Sequence, residues 1–393
     1  MNICIVSSSY PPEGGGGIGT YTYNLAKGLT ELGHKMFVIT KTGEDEKEEQ
    51  IEGVNIYRIG SRYIPKLEAY LPGLAWSRFV SGKIAKLDKK YRIDIVEFPN
   101  WEGSGFWYLM KRDRKPVVTR MHTPYFESLA INKNNEKLSI ADRFTCWMEK
   151  KAALNSDCLT SSTAFHRDFI SRAYSLNNTG IELLPLGIGI ANNAGFNAKK
   201  NGNVKVLFVS RLEKRKGALT LLEAIPKVLD AVPGVEFILI GKDRPHAPGN
   251  KYFKDYFLDK FNAYKDKVRF LGHVSNEELN DFYQKSDILA VPSVYESFGL
   301  IYLEAMNYGK PVIGCVVGGV PEVVKNQETG ILINPSNTGE LVEALIRLIK
   351  DADLREKMGK NAARLVAEKF SYQKMAGDTE TLYRRVIKQS LSN

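Results

Sequence analysis

The segment VPSVYESFGLIYLEAMNYGKPVIG, residues 291 to 314, places a carboxylate where an apolar residue is expected. If a helix begins near Gly299, then Leu300, Leu303 and Glu304 share one face at i, i+3 and i+4, the face that normally packs against a core. A charge there is costly without a partner. The segment also runs from strand to turn to helix to strand, which is typical of an open parallel sheet.

The same alternation extends in both directions from this segment. Strand-like runs include NICIVSS, MFVIT, DIVEF and PVVTRMH in the first half, and VKVLFVS, VEFILIG, VRFLGH and TGILINP in the second. The sequence therefore predicts an α/β protein with two Rossmann-like domains. We expect domains at 1–185 and 204–370, a Gly- and Asn-rich linker at 186–203, and a C-terminal helix, 371–393, that packs back on the first domain.

Composition limits the functional class. The chain has 393 residues, 43% of them hydrophobic, and a formal net charge of +10. It contains no apolar run of about 20 residues and no signal-peptide pattern, so a cytoplasmic location is the default expectation. The four cysteines lack metal-ligand spacing, and we interpret them as reduced thiols without zinc. The charge indicates an anionic partner, but no basic tail or aromatic-interleaved patch suggests nucleic acid.

Basic residues are concentrated in WSRFVSGKIAKLDKKYR, residues 76 to 92. Apolar residues share one helical stripe there, while Lys83, Lys86, Lys89 and Lys90 lie elsewhere on the helix. The simpler interpretation is a surface helix with a solvated outer face. The alternative is peripheral association with a membrane surface through these lysines.

Open parallel sheets bind ligands at the carboxyl ends of their strands, and the first such end is glycine-rich. In SSSYPPEGGGGIGTYTYN, the residues Gly14, Gly16 and Gly19 fit a dinucleotide fingerprint. The second strand ends in Thr40 and Lys41, with no acid for a ribose diol, which weakens that interpretation. What the segment still offers is a glycine-rich backbone that a ligand can approach closely, followed by a helix N-terminus that favours an anion. A turn without function is the alternative.

Two further strand ends carry charge. In VSRLEKRKG, Arg211 and Lys216 suit a diphosphate leaving group, although a solvated basic loop fits equally well. In the opening segment, Glu296 and Glu304 lie on either side of a turn with free backbone N–H groups, where sugar or ribose hydroxyls could bind.

Taken in order, RLEKRKG, GHV, ESFGLIYLEAMNYGKPVIG and GGVPE resemble the family four glycosyltransferases of the two-Rossmann-domain (GT-B) type. The segments PPEGGGGIGTYTYNLAKGL and RMHTP resemble the same family. The resemblance implies an N-terminal acceptor-binding domain and a C-terminal nucleotide-sugar-binding domain, facing each other across a cleft.

For the donor, the resemblance implies that Glu304 receives the ribose hydroxyls and Glu296 holds sugar hydroxyls. It implies that the turn from Ser297 to Leu300, with the amides of Phe298, Gly299 and Leu300, contacts sugar and diphosphate.

The resemblance also assigns the cations and the base. Arg211 and Lys216 would stabilise the departing diphosphate, while His273 and Val274 would border the nucleotide base.

In the first domain, Gly16 and Gly17 would line the phosphate and acceptor side, and His122 would touch the transferred sugar. A histidine after a strand is more often structural, so the role of His122 rests on the resemblance.

The family implies transfer with retention of anomeric configuration, without metal or cofactor, from a donor that we take as a UDP-sugar. A hexose-type sugar would move to a glycan, glycolipid or small-molecule hydroxyl, in bacterial-type polysaccharide biosynthesis. The family's frequent Pro-Asn-Gly-Val-Asp segment reads Pro-Leu-Gly-Ile-Gly at 185–189, without its polar residues. A nucleotide-sugar 2-epimerase and, less favoured, an NAD(P)-dependent oxidoreductase or a non-catalytic binding protein are the alternatives.

Overall fold

Runs of Val, Ile and Leu form the strands of two mostly parallel sheets, each covered by helices, which is why the strands are apolar on both faces. The chain divides into two units, Met1–Gly189 with Ser371–Asn393, and Ile190–Phe370. The computed structural model describes residues 1–13, 16–43, 45–60, 71, 73–132, 137–176, 180–191 and 203–392.

The sheet of the first unit has eight strands within the described residues, in the order β3-β4-β2-β1-β5-β6-β7-β8. Only β3 is antiparallel, to β4. β1 pairs in parallel with β2 on one side and with β5 on the other, both through Ile3, and the strand order reverses between β1 and β5. The strands are β1 Asn2–Val6, β2 Lys35–Thr42, β3 Lys47–Ile51, β4 Val54–Gly60, β5 Ile95–Pro99, β6 Val117–Met121, β7 Cys158–Ser161 and β8 Ile181–Leu183.

Helices of the first unit follow most of these strands. Ser139 and Asp142 form a capping box at the start of α5, and Thr163 caps α6. The helices are α1 Gly17–Glu31, α2 Leu74–Tyr91, α3 Phe106–Leu109, α4 Tyr125–Asn132, α5 Ile140–Leu154 and α6 Ala164–Tyr174. None of the helices in the described part of the chain is long and apolar enough to span a bilayer.

The sheet of the second unit, as far as it is described, is parallel throughout, in the order β11-β10-β9-β12-β13-β14. This is the doubly wound order, and its reversal point lies between β9 and β12, where such sheets bind ligands. The strands are β9 Val204–Val209, β10 Val235–Ile240, β11 Val268–Gly272, β12 Ile288–Ala290, β13 Val312–Cys315 and β14 Gly330–Ile333.

Helices of the second unit alternate with its strands. Two helices follow β14 in succession, because Asp351 between them is extended and caps the second with its side chain. The helices are α7 Ala218–Ala231, α8 Phe253–Phe261, α9 Asn276–Lys285, α10 Leu300–Asn307, α11 Val320–Val323, α12 Thr338–Lys350 and α13 Ala352–Lys369.

The last helix, α14 Tyr372–Leu391, belongs to the first unit and packs on α1. A Cβ at Gly28 would lie 2.6 Å from the Ala376 Cβ, so the glycine lets the two helices approach closely. Tyr372 Oη donates to Glu31 Oε1 at 2.7 Å. The first residues of the predicted linker also belong here, since the Tyr372 N–H donates to the Ile188 carbonyl at 2.9 Å. Residues 192–202 of that linker lie outside the described residues.

Candidate functional site

The loop after β9 and the loop after β12 are held together at the reversal point of the second sheet. Gly217 adopts a positive φ of 72°, and a Cβ there would lie 1.9 Å from the Pro292 carbonyl oxygen. The Val294 N–H donates to the Arg215 carbonyl at 2.9 Å. Only glycine permits this approach, so the sequence KRKG positions its cations directly against the loop that carries Glu296.

Lys216 and Glu296 form an ion pair across these two loops. Lys216 Nζ donates to Glu296 Oε1, which Ser293 Oγ also approaches at 3.3 Å. The side chains are only 14% and 10% exposed. Burial lowers the pKa of Lys216, and the attraction of the Glu296 carboxylate opposes that shift. The family resemblance assigned Lys216 to the diphosphate and Glu296 to sugar hydroxyls, whereas the structure places the two side chains in contact. An anionic ligand that binds Lys216 would therefore have to replace Glu296 as its partner.

A third loop fixes the backbone of Glu296. The Gly319 N–H donates to the Glu296 carbonyl at 3.0 Å. Gly318 has a φ of 54°, and a Cβ there would lie 1.9 Å from the same carbonyl oxygen. The Gly-Gly turn after β13 is therefore shaped around Glu296.

Arg211 lies on the exposed side of the same loop, with 53% of its side chain accessible. Its Nη2 is 3.3 Å from Glu213 Oε1, and Arg215 Nη2 is 3.2 Å from the same oxygen. Sequence reasoning missed Glu213, whose buried carboxylate anchors both guanidinium groups. The available signal was an acid within the basic run RLEKRKG.

Glu304 has a partner that the sequence did not reveal. Tyr283, on α9, donates its hydroxyl to Glu304 Oε2 at 2.7 Å, and the Tyr283 ring stacks on Tyr308 at 5.9 Å. Burial raises the pKa of Glu304, and the hydrogen bond from Tyr283 opposes the rise. The interpretation that only a ligand pairs with Glu304 is therefore incomplete.

The turn before α10 presents backbone rather than side chains. Phe298 is buried and its ring packs edge-on against Phe370 at 6.0 Å. Gly299 has a φ of 90°, with Tyr302 where a Cβ would be. Ser297 and Leu300 are partly exposed on either side of them. The amides at the start of α10 are thus the groups that this turn can offer to a ligand.

His273 and Val274 follow β11, which is an edge strand two positions from β9. Gly272 has a φ of 68° and its carbonyl accepts from the Gly241 N–H at 2.7 Å. His273 is exposed and Val274 partly exposed. They lie at the carboxyl-end edge of the same sheet, but on its rim.

In the first unit, the glycine-rich loop leads into α1. Gly16 has a φ of 117°, and its carbonyl accepts from the Thr20 N–H at 3.1 Å. Gly16 and Gly17 are both exposed, whereas Gly19 is packed against Ser9. Gly14 of the predicted fingerprint lies outside the described residues.

His122 follows β6 in a buried polar environment. Its backbone N–H donates to Asn100 Oδ1 at 2.7 Å, and its ring meets Tyr21 edge-on at 5.4 Å. Burial, with the Arg120 and His166 charges, lowers the pKa of His122 to about 3. Its buried Nε2 makes no hydrogen bond to any described residue. The ring is therefore neutral near pH 7, and a neutral imidazole can donate or accept a hydrogen bond with a hydroxyl group.

Sequence reasoning missed the polar groups that support His122. Asn100 Nδ2 donates to Glu149 Oε1 at 2.8 Å, and burial raises the pKa of Glu149. Deeper in the sheet, Glu97 accepts from the hydroxyls of Tyr21 and Tyr383 at 2.7 and 2.6 Å. A glutamate inside the apolar strand IVEFP was a signal for such a network.

The predicted lysines of α2 differ in their surroundings. Lys83 Nζ contacts Glu48 Oε1 at 2.9 Å and lies over the Tyr57 ring at 4.5 Å. Lys86 and Lys89 are exposed, and Lys90 lies over the Tyr91 ring at 4.8 Å. Lys83 therefore faces an acidic strand, which corrects its assignment to a membrane contact.

Among the described residues, no cluster of three metal-ligating side chains is present.

Family models cover most of the chain. The model described as Glycosyltransferase Family 4 matches residues 15–191, and the one described as Glycosyl transferases group 1 matches residues 190–365. Their junction lies at the boundary between the two units at Gly189 and Ile190.

Curated relatives align along nearly the full length. An uncharacterized glycosyltransferase of Methanocaldococcus jannaschii is 28% identical over 98% of both chains. The D-inositol 3-phosphate glycosyltransferase of Corynebacterium jeikeium is 30% identical over 94% of this chain and 91% of its own.

Solved structures share the fold. Sucrose-phosphate synthase from Thermosynechococcus elongatus has a TM-score of 0.78 at 24% identity, over 99% of each chain. Anabaena HepE, solved in complex with UDP and glucose, has a TM-score of 0.71 at 18% identity, over 97% of this chain and 99% of its own. The prediction of two Rossmann-like domains of the GT-B type is confirmed.

Proposed function

Because the chain belongs to the family 4 glycosyltransferases, we propose that it moves a hexose-type sugar from a UDP-sugar to an acceptor hydroxyl. The observation that carries the proposal is the Lys216–Glu296 pair at the reversal point of the second sheet. The complex of Anabaena HepE with UDP and glucose supports UDP as the nucleotide of the donor.

The donor site is built from the second unit. The diphosphate takes Lys216 from Glu296 and engages the half-exposed Arg211, so that two cations neutralise the charge on the leaving group. Glu296, released from Lys216, accepts hydrogen bonds from sugar hydroxyls. Glu304 accepts the ribose hydroxyls beside Tyr283.

The remaining donor contacts are made at the edges of the site. The amides from Phe298 to Leu300 contact the sugar and diphosphate, while His273 and Val274 border the base. For the first unit, the family resemblance assigns His122 to the transferred sugar and Gly16 and Gly17 to the phosphate and acceptor side, and these assignments remain part of the proposal.

Transfer proceeds with retention on the face from which the diphosphate leaves. The bond from the anomeric carbon to the phosphate oxygen breaks as the acceptor oxygen bonds to that carbon. The acceptor's proton passes to the departing phosphate. The side chains position the reactants and stabilise charge. No metal or cofactor is required in this proposal, because Arg211 and Lys216 supply the positive charge.

The acceptor is a glycan, a glycolipid or a small molecule. The curated relatives include a D-inositol 3-phosphate glycosyltransferase and a glycogen synthase, which act on different acceptors by name. Peripheral membrane association remains part of the proposal, through Lys86, Lys89 and Lys90 rather than Lys83. The epimerase alternative finds no support among these relatives, and the matching family models describe transferases rather than oxidoreductases.

A thermal-shift titration with UDP, GDP, ADP and NAD, each with EDTA, tests the proposal. A ligand that binds only the folded state at about 100 times its dissociation constant adds about 2.7 kcal/mol of stability. We expect UDP to raise the unfolding midpoint with EDTA present. Stabilisation by NAD alone, or by none of the four, would contradict the donor site.

A further inference from the structure

The outer face of α5 is apolar and basic. Its exposed residues follow the helical spacing of three or four and are Ile140, Arg143, Trp147, Lys151 and Leu154. Ile140, Trp147 and Leu154 are 88%, 48% and 44% exposed. A surface helix normally turns such apolar residues inward, so this face is of the kind that lies on an interface.

The inner face of α5 is an ordinary core face. Met148 and Ala152 are buried in a hydrophobic cluster of the first unit. Both acids of the helix are buried: Asp142 completes the capping box, and Glu149 bonds to Asn100. The apolar stripe on the outside is therefore additional to the core face.

The exposed apolar surface continues onto α3. Trp107 and Met110, at the end of α3, are 40% and 41% exposed. The Phe106 ring lies 5.6 Å from Trp107 and 5.5 Å from Trp147, so the aromatic rings of the two helices form one contiguous patch.

The neighbouring helix α2 contributes to the same layer, because Val80 and Ile84 share the hydrophobic cluster with Phe106 and Met148. Its Phe79 is 38% exposed, next to the exposed Arg78. We call the outer surface of these helices the α2–α3–α5 face, whose exposed apolar residues are Phe79, Trp107, Met110, Ile140, Trp147 and Leu154.

The exposed charge carried by the helices of the α2–α3–α5 face is mainly positive, although Glu46 and Glu48 pair with Lys83 at the edge of α2. The acid of α2, Asp88, accepts from the Ile93 N–H at 2.9 Å and lies 3.4 Å from Lys115. Together with Asp142 and Glu149, it accounts for all the acidic residues of these helices. Exposed cations remain on the outside, at Arg78, Lys86, Lys89, Lys90, Arg143 and Lys151.

We propose that the α2–α3–α5 face binds an anionic lipid bilayer, with Trp107 and Trp147 at the level of the headgroups. Tryptophan combines an apolar ring with a polar N–H group and favours that level. Arg and Lys attract anionic headgroups, and the exposed apolar groups enter the acyl boundary. The excess of exposed cations on these helices favours an anionic bilayer as the partner. The inference rests on the peripheral membrane association in the proposed function and deepens it, by naming the binding surface and the class of lipid; it does not depend on sugar transfer.

Flotation of the full chain with vesicles tests this assignment. We expect binding to vesicles with about one third phosphatidylglycerol, little binding to pure phosphatidylcholine, and a blue shift of tryptophan emission on binding. Trp147→Ser should lower the partition coefficient about tenfold or more. Its matched control, Tyr252→Ser, removes a ring that is 50% exposed in the second unit and should bind like wild type.

A second pair of variants tests the charge. Arg143→Ser with Lys151→Ser should weaken binding to anionic vesicles about tenfold or more, because the variant lacks both cations that would contact the anionic headgroups. Lys227→Ser with Lys254→Ser removes the same charge from exposed positions of the second unit and should have little effect.

The unfolding midpoint of each variant shows whether it is folded. Equal vesicle binding by wild type and by folded Trp147→Ser would overturn the proposal. So would a wild-type dimer that ignores vesicles and becomes monomeric in Trp147→Ser, because the α2–α3–α5 face would then bind a second copy. UDP stabilisation is independent of both outcomes.

Discussion

Each unit carries charge at the centre of its sheet, but the two arrangements differ. In the second unit, Lys216 and Glu296 follow the ends of β9 and β12 and keep some solvent access. In the first, Glu97 lies within β5, where two tyrosine hydroxyls donate to it and burial raises its pKa while Arg120 opposes the rise. In the proposed function, a ligand replaces Glu296 as the partner of Lys216. The Glu97 network, in contrast, is part of the core.

The comparison separates function from stability. A buried charge that loses its partners destabilises the fold, because its former partners remain desolvated. A pair at a strand end can be broken with less effect on folding, and the loss is then seen in ligand binding or turnover. Variants of the two networks should therefore fail in different assays.

The largest expected effect is on the buried network. Glu97→Ala leaves the hydroxyls of Tyr21 and Tyr383 without their acceptor and Arg120 without a nearby opposite charge. It should reduce the free energy of unfolding by about 3–5 kcal/mol. Urea unfolding followed by tryptophan fluorescence measures this, since all four tryptophans lie in the first unit. Glu182→Ala, which removes an exposed strand glutamate paired with Arg385, should cost less than about 1 kcal/mol. Equal losses would break the distinction.

Lys216→Met leaves the Glu296 carboxylate without its lysine, and should lower the unfolding midpoint by less than Glu97→Ala does. It should lower kcat for UDP release about 10²–10³-fold, because the leaving diphosphate loses a donor. Lys214→Met, an exposed lysine of the same turn, is the matched control and should retain activity. Full turnover in Lys216→Met would show that the ion pair is structural only.

Glu304→Gln should weaken UDP binding about 5- to 30-fold, since a charged acceptor for two hydroxyls becomes a neutral amide. Isothermal titration calorimetry with UDP measures the change, and Glu343→Gln on the exposed side of α12 is the control. An unchanged dissociation constant would remove Glu304 from the ribose site.

The smallest effect concerns pH. The folded pKa of His122, about 3, lies below its ordinary value of 6.5, so the unfolded chain binds this proton more readily. The stability from neutral His122 is complete above about pH 6.5 and declines as the pH falls toward 3. When the pH falls from 7 to 5.5, the free energy of unfolding of His122→Gln should decrease by about 1 kcal/mol less than that of wild type. Parallel stability curves would show that His122 titrates normally.

Much of the fold could be predicted because apolar strand runs and glycine turns are local signals. The strand VKVLFV and its RLEKRKG loop were visible in the sequence, and the structure confirms the strand. The hairpin of β3 and β4 was missed, although Glu52 and Gly53 form a two-residue turn with positive φ.

The partners in the site could not be predicted, because they are distant in sequence. Lys216 and Glu296 are 80 residues apart, and Glu97 and Tyr383 are 286 apart. Residue type indicated that each charge needed a partner, but only the packing of α9 on the sheet brings Tyr283 to Glu304. The sequence therefore predicted which residues carry chemistry better than it predicted how they are paired.

The most direct test compares UDP with uridine, by titration calorimetry with EDTA, on wild type and on Lys216→Met. If Lys216 holds the diphosphate, wild type should bind UDP at least about 100-fold more tightly than uridine. In Lys216→Met that ratio should fall below about tenfold, with uridine affinity unchanged. A ratio that stays the same in both proteins would contradict the assignment of the β9–β12 reversal point as the diphosphate site.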